Sequence, residues 1–236
     1  IIGITTALVL IVISLAYLYF SNLNVSSRNN DRVLSEIPAD ASIIFQYPND
    51  KSLYEIFSDY TVFDTIIGTQ AKNELAWLKD FLLSKKELTD LTEGQKFFLS
   101  FHPSKTDSVH FLWSIQLKQP LIIDELQNTL SELSEIRVSK KEKSGAILLE
   151  INSSELNRPF YLCIDKGIAR GSFSADLLSQ SIDKKAKKIS QAFINEINTG
   201  LNKDANALAH ISINYDKPGF LKPYFKRKLS DNMGLF

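Results

Sequence analysis

The chain has 236 residues, 44% of them hydrophobic and 23% charged, with 27 basic residues set against 27 acidic ones. A net charge of zero removes any general attraction to nucleic acid or to an acidic membrane surface, so no nucleic-acid partner is expected. Cys163 is the only cysteine, which rules out an intrachain disulfide, and its place in the run FYLCI suits a small buried residue better than a reactive thiol.

The first element is the stretch Ile1 to Phe20, twenty residues without a charge. As a helix rising 1.5 Å per residue it spans about 30 Å, the thickness of a bilayer's hydrocarbon core. It is longer than the apolar core of a cleaved signal peptide, about 7–15 residues, and Tyr17, Tyr19 and Phe20 sit where rings favour the headgroup layer. A single-pass transmembrane anchor over 1–21 is therefore predicted, touching the lipid bilayer through Ile1 to Phe20. The membrane expected is the cytoplasmic (inner) one. Arg28 and Arg32 are mixed with Asp31 and Glu36 and leave the orientation open, but an anchor so near the start commonly exports the chain behind it. Residues 22–36, polar and rich in Ser and Asn, form a tether.

Ile37-Pro38-Ala39-Asp40 closes the tether, and Ser42 to Tyr47 then alternates, with Ile43, Phe45 and Tyr47 on one side, as a half-buried strand does. Pro48-Asn49-Asp50 breaks it. Ser52 and Glu55 have capping-box spacing ahead of a stripe of Leu53, Ile56, Phe57 and Tyr60. A second helix is predicted over 69–84, with Ala71, Leu75, Leu78 and Leu82 on one stripe and Trp77 and Phe81 widening it. Phe97, Leu99 and Phe101 share a face of the next strand, and Val109, Phe111, Trp113, Ile115 and Leu117 share one of the strand after it. The two make a hairpin across the polar loop 103–108. The helix after Pro120 carries Ile122, Leu126, Leu130 and Leu133, a stripe suited to cover that hairpin. Short strands come next over 136–140, 146–151, 160–164 and 168–173, with turns at Lys143-Ser144-Gly145 and Asp165-Lys166-Gly167. Ser174 caps a further helix, and a last one over 190–199 is predicted to stop at Gly200.

Ala209 to Phe225 can be laid over Ala41 to Phe57 without a gap, matching Ile211 with Ile43, Tyr215 with Tyr47, Leu221 with Leu53 and Phe225 with Phe57. Both copies run from an alternating strand through a proline-containing turn into a helical stripe. An internal repeat is expected, with the start of a second similar unit at 204–236. The predicted fold class is α+β, in which the transmembrane helix is followed by an extracytoplasmic domain over 37–203. That domain holds a mostly antiparallel sheet with packed helices, as the first unit of a repeated architecture.

The uncharged anchor, the Ser/Asn tether, IPADASIIFQY, GQKFFLSFHP and HFLWSIQL together resemble an uncharacterised family of bacterial envelope proteins, a domain of unknown function with one N-terminal membrane helix. The resemblance covers most of the chain and implies an anchored extracytoplasmic α+β module. It implies no catalytic residue.

Chemistry-bearing motifs are absent: no GxxxxGK[ST] loop, no GxGxxG after a strand, no GxSxG elbow, no HExxH and no paired CxxC. His102 and His110 end one hairpin strand and begin the next, so they should lie side by side across the ladder with Asp107 between them. They are the metal-ligand candidates, with His210 a third only if its strand docks beside the hairpin. Ser100 and Ser114 are the hydroxyls that would pair with either histidine, but no orienting acid stands at recognisable spacing. Lys184, Lys185, Lys187 and Lys188, and the run Lys226-Arg227-Lys228, fit a solvated helix end or loop. Asp124, Glu125, Glu132 and Glu135 fit the wet face of a helix. The aromatic hairpin face suits a packed core by default and an apolar ligand cavity otherwise. No catalytic, cofactor or metal residue is assigned. The expected role is a non-enzymatic scaffold or interaction module with an envelope protein as partner. The alternatives are a carrier of lipid or apolar chains, and an enzyme whose site lies elsewhere or rests on His102 and His110.

Overall fold

The structure, a computed structural model, describes residues 11, 12, 14, 30–48, 65–83, 86–92, 95–104, 109–119, 121–133, 135–143, 145–203 and 209–224. Most of the predicted anchor, the stripe 53–60, Asp107 and Lys226-Arg227-Lys228 lie outside these residues. No helix among the described residues is long and apolar enough to cross a membrane.

Among the described residues, eight strands form one antiparallel sheet: β1 (Ile43–Pro48), β2 (Lys96–Pro103), β3 (Val109–Gln116), β4 (Ile136–Lys143), β5 (Ala146–Ser153), β6 (Phe160–Asp165), β7 (Ile168–Ser172) and β8 (His210–Ile213). Their order across the sheet is β4-β5-β6-β7-β3-β2-β1-β8. The helices are α1 (Gly68–Leu83), α2 (Lys86–Thr92), α3 (Ile123–Ser131), α4 (Ala175–Ile182) and α5 (Gln191–Lys203), with a 3-10 turn at Gly219–Tyr224. The chain is α+β, as its patterning predicts. Local chemistry explains the tight connections: Lys166 and Gly167 turn with φ of 51° and 77°, the paired left-handed conformation that matches the twist of a two-residue hairpin. Ser174 accepts a hydrogen bond from the Leu177 N–H and opens α4.

Period-two alternation assigns the two faces. Phe97, Leu99 and Phe101 of β2 pair with Ile115, Trp113 and Phe111 of β3, and together they meet the apolar stripes of α1 and α3. The rings pack into an array in which Trp77 stacks on Phe81 at 4.9 Å and Phe160 meets Phe173 at 5.0 Å. Gly171 makes room for it, because a β-carbon there would lie 2.2 Å from the Phe160 ring. The opposite face is covered as well, by two separate clusters. Ile44, Phe98 and Ile168 lie beneath α5 and a helical turn at 30–34, while Leu112, Leu148 and Cys163 lie beneath α4. By register, Ser100, Ser114 and Arg170 fall between these clusters, and all three are buried.

Three boundaries differ from expectation. Residues 30–36, expected as part of the tether, belong to the fold, because Val33 and Leu34 join Ile37 in the core at helical spacing. Helix α5 runs through Gly200 to Lys203. That glycine allows close approach rather than a stop, since a β-carbon on it would lie 2.6 Å from the His210 ring. Finally, β8 hydrogen-bonds to β1, so the start of the expected second unit sits within the same sheet.

Candidate functional site

A cleft of about 740 Å³ opens at the end of the sheet where β2 passes to β3, lined by Asp40, His102, Ser104, His110, Lys143 and Asp176 among others. The hairpin register sets its floor by pairing His102 directly with His110, as their positions at the strand ends predict. The first turn of α4 and the tip of the β4–β5 hairpin form one wall, joined by an ion pair from Lys143 to Asp176 at 2.7 Å.

His102 is the centre of a three-residue array. Its Nδ1 lies 2.7 Å from Asp40 Oδ1, and its Nε2 lies 2.9 Å from Ser100 Oγ. A carboxylate only accepts, so Nδ1 carries the hydrogen, and in the neutral ring Nε2 accepts from the Ser100 hydroxyl. This is the connectivity of a serine hydrolase triad. Its placement is the reverse of one: Ser100 is 0% exposed and His102 is 1% exposed, whereas the Asp40 side chain is 48% exposed. The hydroxyl points into the sheet, where its other neighbour is the Leu112 carbonyl at 3.4 Å, and the carboxylate stands at the wet rim. Burial works to raise the Asp40 pKa, but the hydrogen bond and charge of His102 outweigh it and hold the carboxyl below its ordinary value.

His110 faces a different neighbour. Its Nδ1 lies 3.5 Å from a guanidinium nitrogen of Arg158, and Arg158 grips Glu74 of α1 through Nε at 2.6 Å and Nη2 at 2.8 Å. Burial and the Arg158 charge lower the His110 pKa. His210 does not complete a cluster, because it pairs with Gln46 near the far end of β1. Among the described residues no three His, Cys, Asp or Glu side chains are placed to hold a metal ion.

No family model, curated protein or solved structure matches the chain.

The other candidates scatter. Ser114 is buried between Phe98 and Arg170 and meets neither histidine across the ladder. The Cys163 thiol is buried, and desolvation pushes its pKa up to about 11. Lys184, Lys185 and Lys187 are exposed as expected, but Lys188 is not. Its Nζ donates to the carbonyls of Gln180 and Ser181 at 2.7 and 2.6 Å, capping the last turn of α4, and burial lowers its pKa to about 8. Asp124, Glu125, Glu132 and Glu135 are exposed, with Asp124 paired to Lys140. The aromatic hairpin face is filled. The cavity beside Trp113 and Phe160 measures about 30 Å³, room for one water and not for an acyl chain. Asp40 was the residue hidden from sequence reasoning: it lies 62 positions before its histidine, and only the pairing of β1 with β2 brings the two together.

Proposed function

We propose that the protein is a membrane-anchored, extracytoplasmic interaction module without catalytic activity of its own, held in the cytoplasmic membrane by Ile1 to Phe20 and acting through contact with another envelope protein. The inverted array carries this reading. A nucleophile must meet its substrate, yet Ser100 is 0% exposed with His102 stacked between it and the cleft. The hydrogen bonds from Ser100 to Asp40 then serve to satisfy polar groups and to pin the chain at 40 onto the strand end. The uncharged opening stretch supports the anchor, and the open, mixed-charge cleft offers the polar surface that a protein partner would contact.

The test is made in intact cells, with a photo-crosslinker placed at exposed Gln180 in the cleft and, as control, at exposed Asn128 on α3. The expected result is a discrete adduct from Gln180 that persists in a Ser100→Ala variant, and a protein that stays with the membrane through an alkaline wash. Release by the wash removes the anchor from the proposal. An adduct from neither position, or loss of cellular function in a Ser100→Ala protein with unchanged melting, refutes the rest.

A further inference from the structure

The turn between β6 and β7, Asp165-Lys166-Gly167, is where the N-terminal segment joins the domain. Arg32 Nη2 donates to the Lys166 carbonyl at 3.0 Å, and Asn198 of α5 donates to the Asp31 carboxylate at 2.6 Å. From there the chain runs along the second face of the sheet, with Val33, Leu34 and Ile37 buried, and enters β1 at Ile43. Ile43 pairs with Phe101, one residue from His102, whereas the β6–β7 turn adjoins Gln116 at the far end of β3. The segment therefore arrives at one end of the sheet, and the two histidines of the cleft stand at the other.

Two large apolar side chains lie open to solvent beside the same turn. Ile122 is 58% exposed and Ile147 is 48% exposed. Leu121 and Ile164 line one small cavity together with Leu117, whose N–H donates to the Gly167 carbonyl at 2.8 Å. Ile122 follows Leu121, and the register of β5 on β6 sets Ile147 opposite Ile164, so the two exposed isoleucines flank that cavity. Arg32, Lys118 and Lys166 are exposed around the patch, against Glu142 across the ladder from Ile147 and the half-buried Asp165. Asp124 and Lys140 neutralise each other nearby. Exposed apolar side chains rimmed by cations suit a lipid surface, because the long stems carry their charge to headgroup phosphates while the apolar groups enter the layer below. Distance favours the same occupant. Residues 21–29, which join the predicted anchor to Asn30, reach about 30 Å when fully extended, so a chain attached at this end keeps this end toward the bilayer.

We infer that the end of the domain formed by the β6–β7 turn, the chain after β3 and the start of β5 is a lipid-contact face. Ile122 and Ile147 enter the interfacial layer of the membrane, and Arg32, Lys118 and Lys166 meet its phosphates. This rests on the anchored-module reading and adds an orientation to it: His102 and His110 are held away from the bilayer, on the side from which a partner protein approaches.

The test uses the whole chain, carried by its own opening stretch into vesicles of phosphatidylcholine and phosphatidylglycerol. In a Cys163→Ala background, Ile122→Cys, Ile147→Cys and, as control, Tyr215→Cys each carry one fluorophore. Tyr215 is 51% exposed but follows Asn214, which bonds to the Ser42 carbonyl at the other end of the sheet. Flotation of the vesicles reports the anchor separately. The expected result is a floating protein that loses most of its emission at 122 and 147 to nitroxide-labelled lipid tails and keeps it at 215. A floating protein with no loss at 122 and 147, or with equal loss at all three positions, overturns the lipid face and leaves the anchor standing. Shielding of 122 and 147 from aqueous iodide without loss to the labelled lipid also overturns it, because a protein surface then covers the patch. A chain that does not float removes the anchored reading, and the orientation inferred from it falls as well.

Discussion

Replacing Arg158 by Met tests whether the contact between α1 and the β5–β6 connection is as strongly coupled as its geometry implies. The pair is bidentate, and its side chains are 26% exposed for Arg158 and 6% for Glu74. Removing the guanidinium leaves the Glu74 carboxylate in the core with Gln70 Nε2, at 2.9 Å, as its remaining hydrogen-bond donor. Breaking a buried pair in this way costs about 3–5 kcal/mol. Water reaches Arg158 from one side, so the low end applies, about 3 kcal/mol. At roughly 2–4 °C per kcal/mol for a chain of this size, the melting temperature should fall by roughly 6–12 °C. The partner variant Glu74→Leu with Arg158→Met removes both charges and fills the space with apolar atoms, and it should recover most of the loss. Urea titrations of the parent, both single variants and the double variant give the coupling directly. A single variant that loses under about 1 kcal/mol, or a double variant no better than Arg158→Met alone, refutes the assignment of a buried, mutually dependent pair.

Gly171→Ala drives a methyl to 2.2 Å from the Phe160 ring, and overpacking of this kind should cost about 1–3 kcal/mol, read as a drop in the urea midpoint without a change in slope. The His110 pKa is lowered by burial and by Arg158, so the unfolded chain takes up a proton at pH 6.5 that the folded chain resists. Stability present above pH 6.5 should therefore be lost as pH falls through the folded value, and Arg158→Met should shrink that loss and raise the His110 titration followed by NMR. Asp40, held below its ordinary 3.8 by His102 against the opposing effect of burial, adds a second loss in the same direction as pH falls further. The Cys163 thiol, buried and raised to about 11, should react with a thiol reagent at neutral pH only as fast as the protein opens, so its labelling rate should rise with urea in step with unfolding.

The hairpin, the meander and the covering helices were legible because their signals are local. Phe97, Leu99 and Phe101 announce one face of β2, and the left-handed pair at Lys166 and Gly167 announces a two-residue turn. The polar alternates carried no signal of burial, since Ser100, His102, Ser114 and Arg170 occupy positions that face water in a sheet covered on one side. Here α4 and α5 cover the second face too, and these residues are buried with it. Nothing local distinguishes a serine beneath a helix from a serine beneath water. Glu74 was hidden for a related reason, being a charged residue on a helix whose apolar stripe is complete without it.

The buried polar residues also bear on the choice of register. Sliding β2 by one residue against β1 and β3 would carry Phe97, Leu99 and Phe101 to the second face and push Ser100 and His102 among the aromatic rings. On an all-apolar second face that slip would exchange one hydrophobic set for another at small cost. With His102 bonded to Asp40, the slip breaks that bond and buries the Ser100 and His102 polar groups among apolar rings, away from Asp40 and from water. The array that looks like a relay thus acts as a register lock. Its exposed end at Asp40 ties the chain entering β1 to the end of β2.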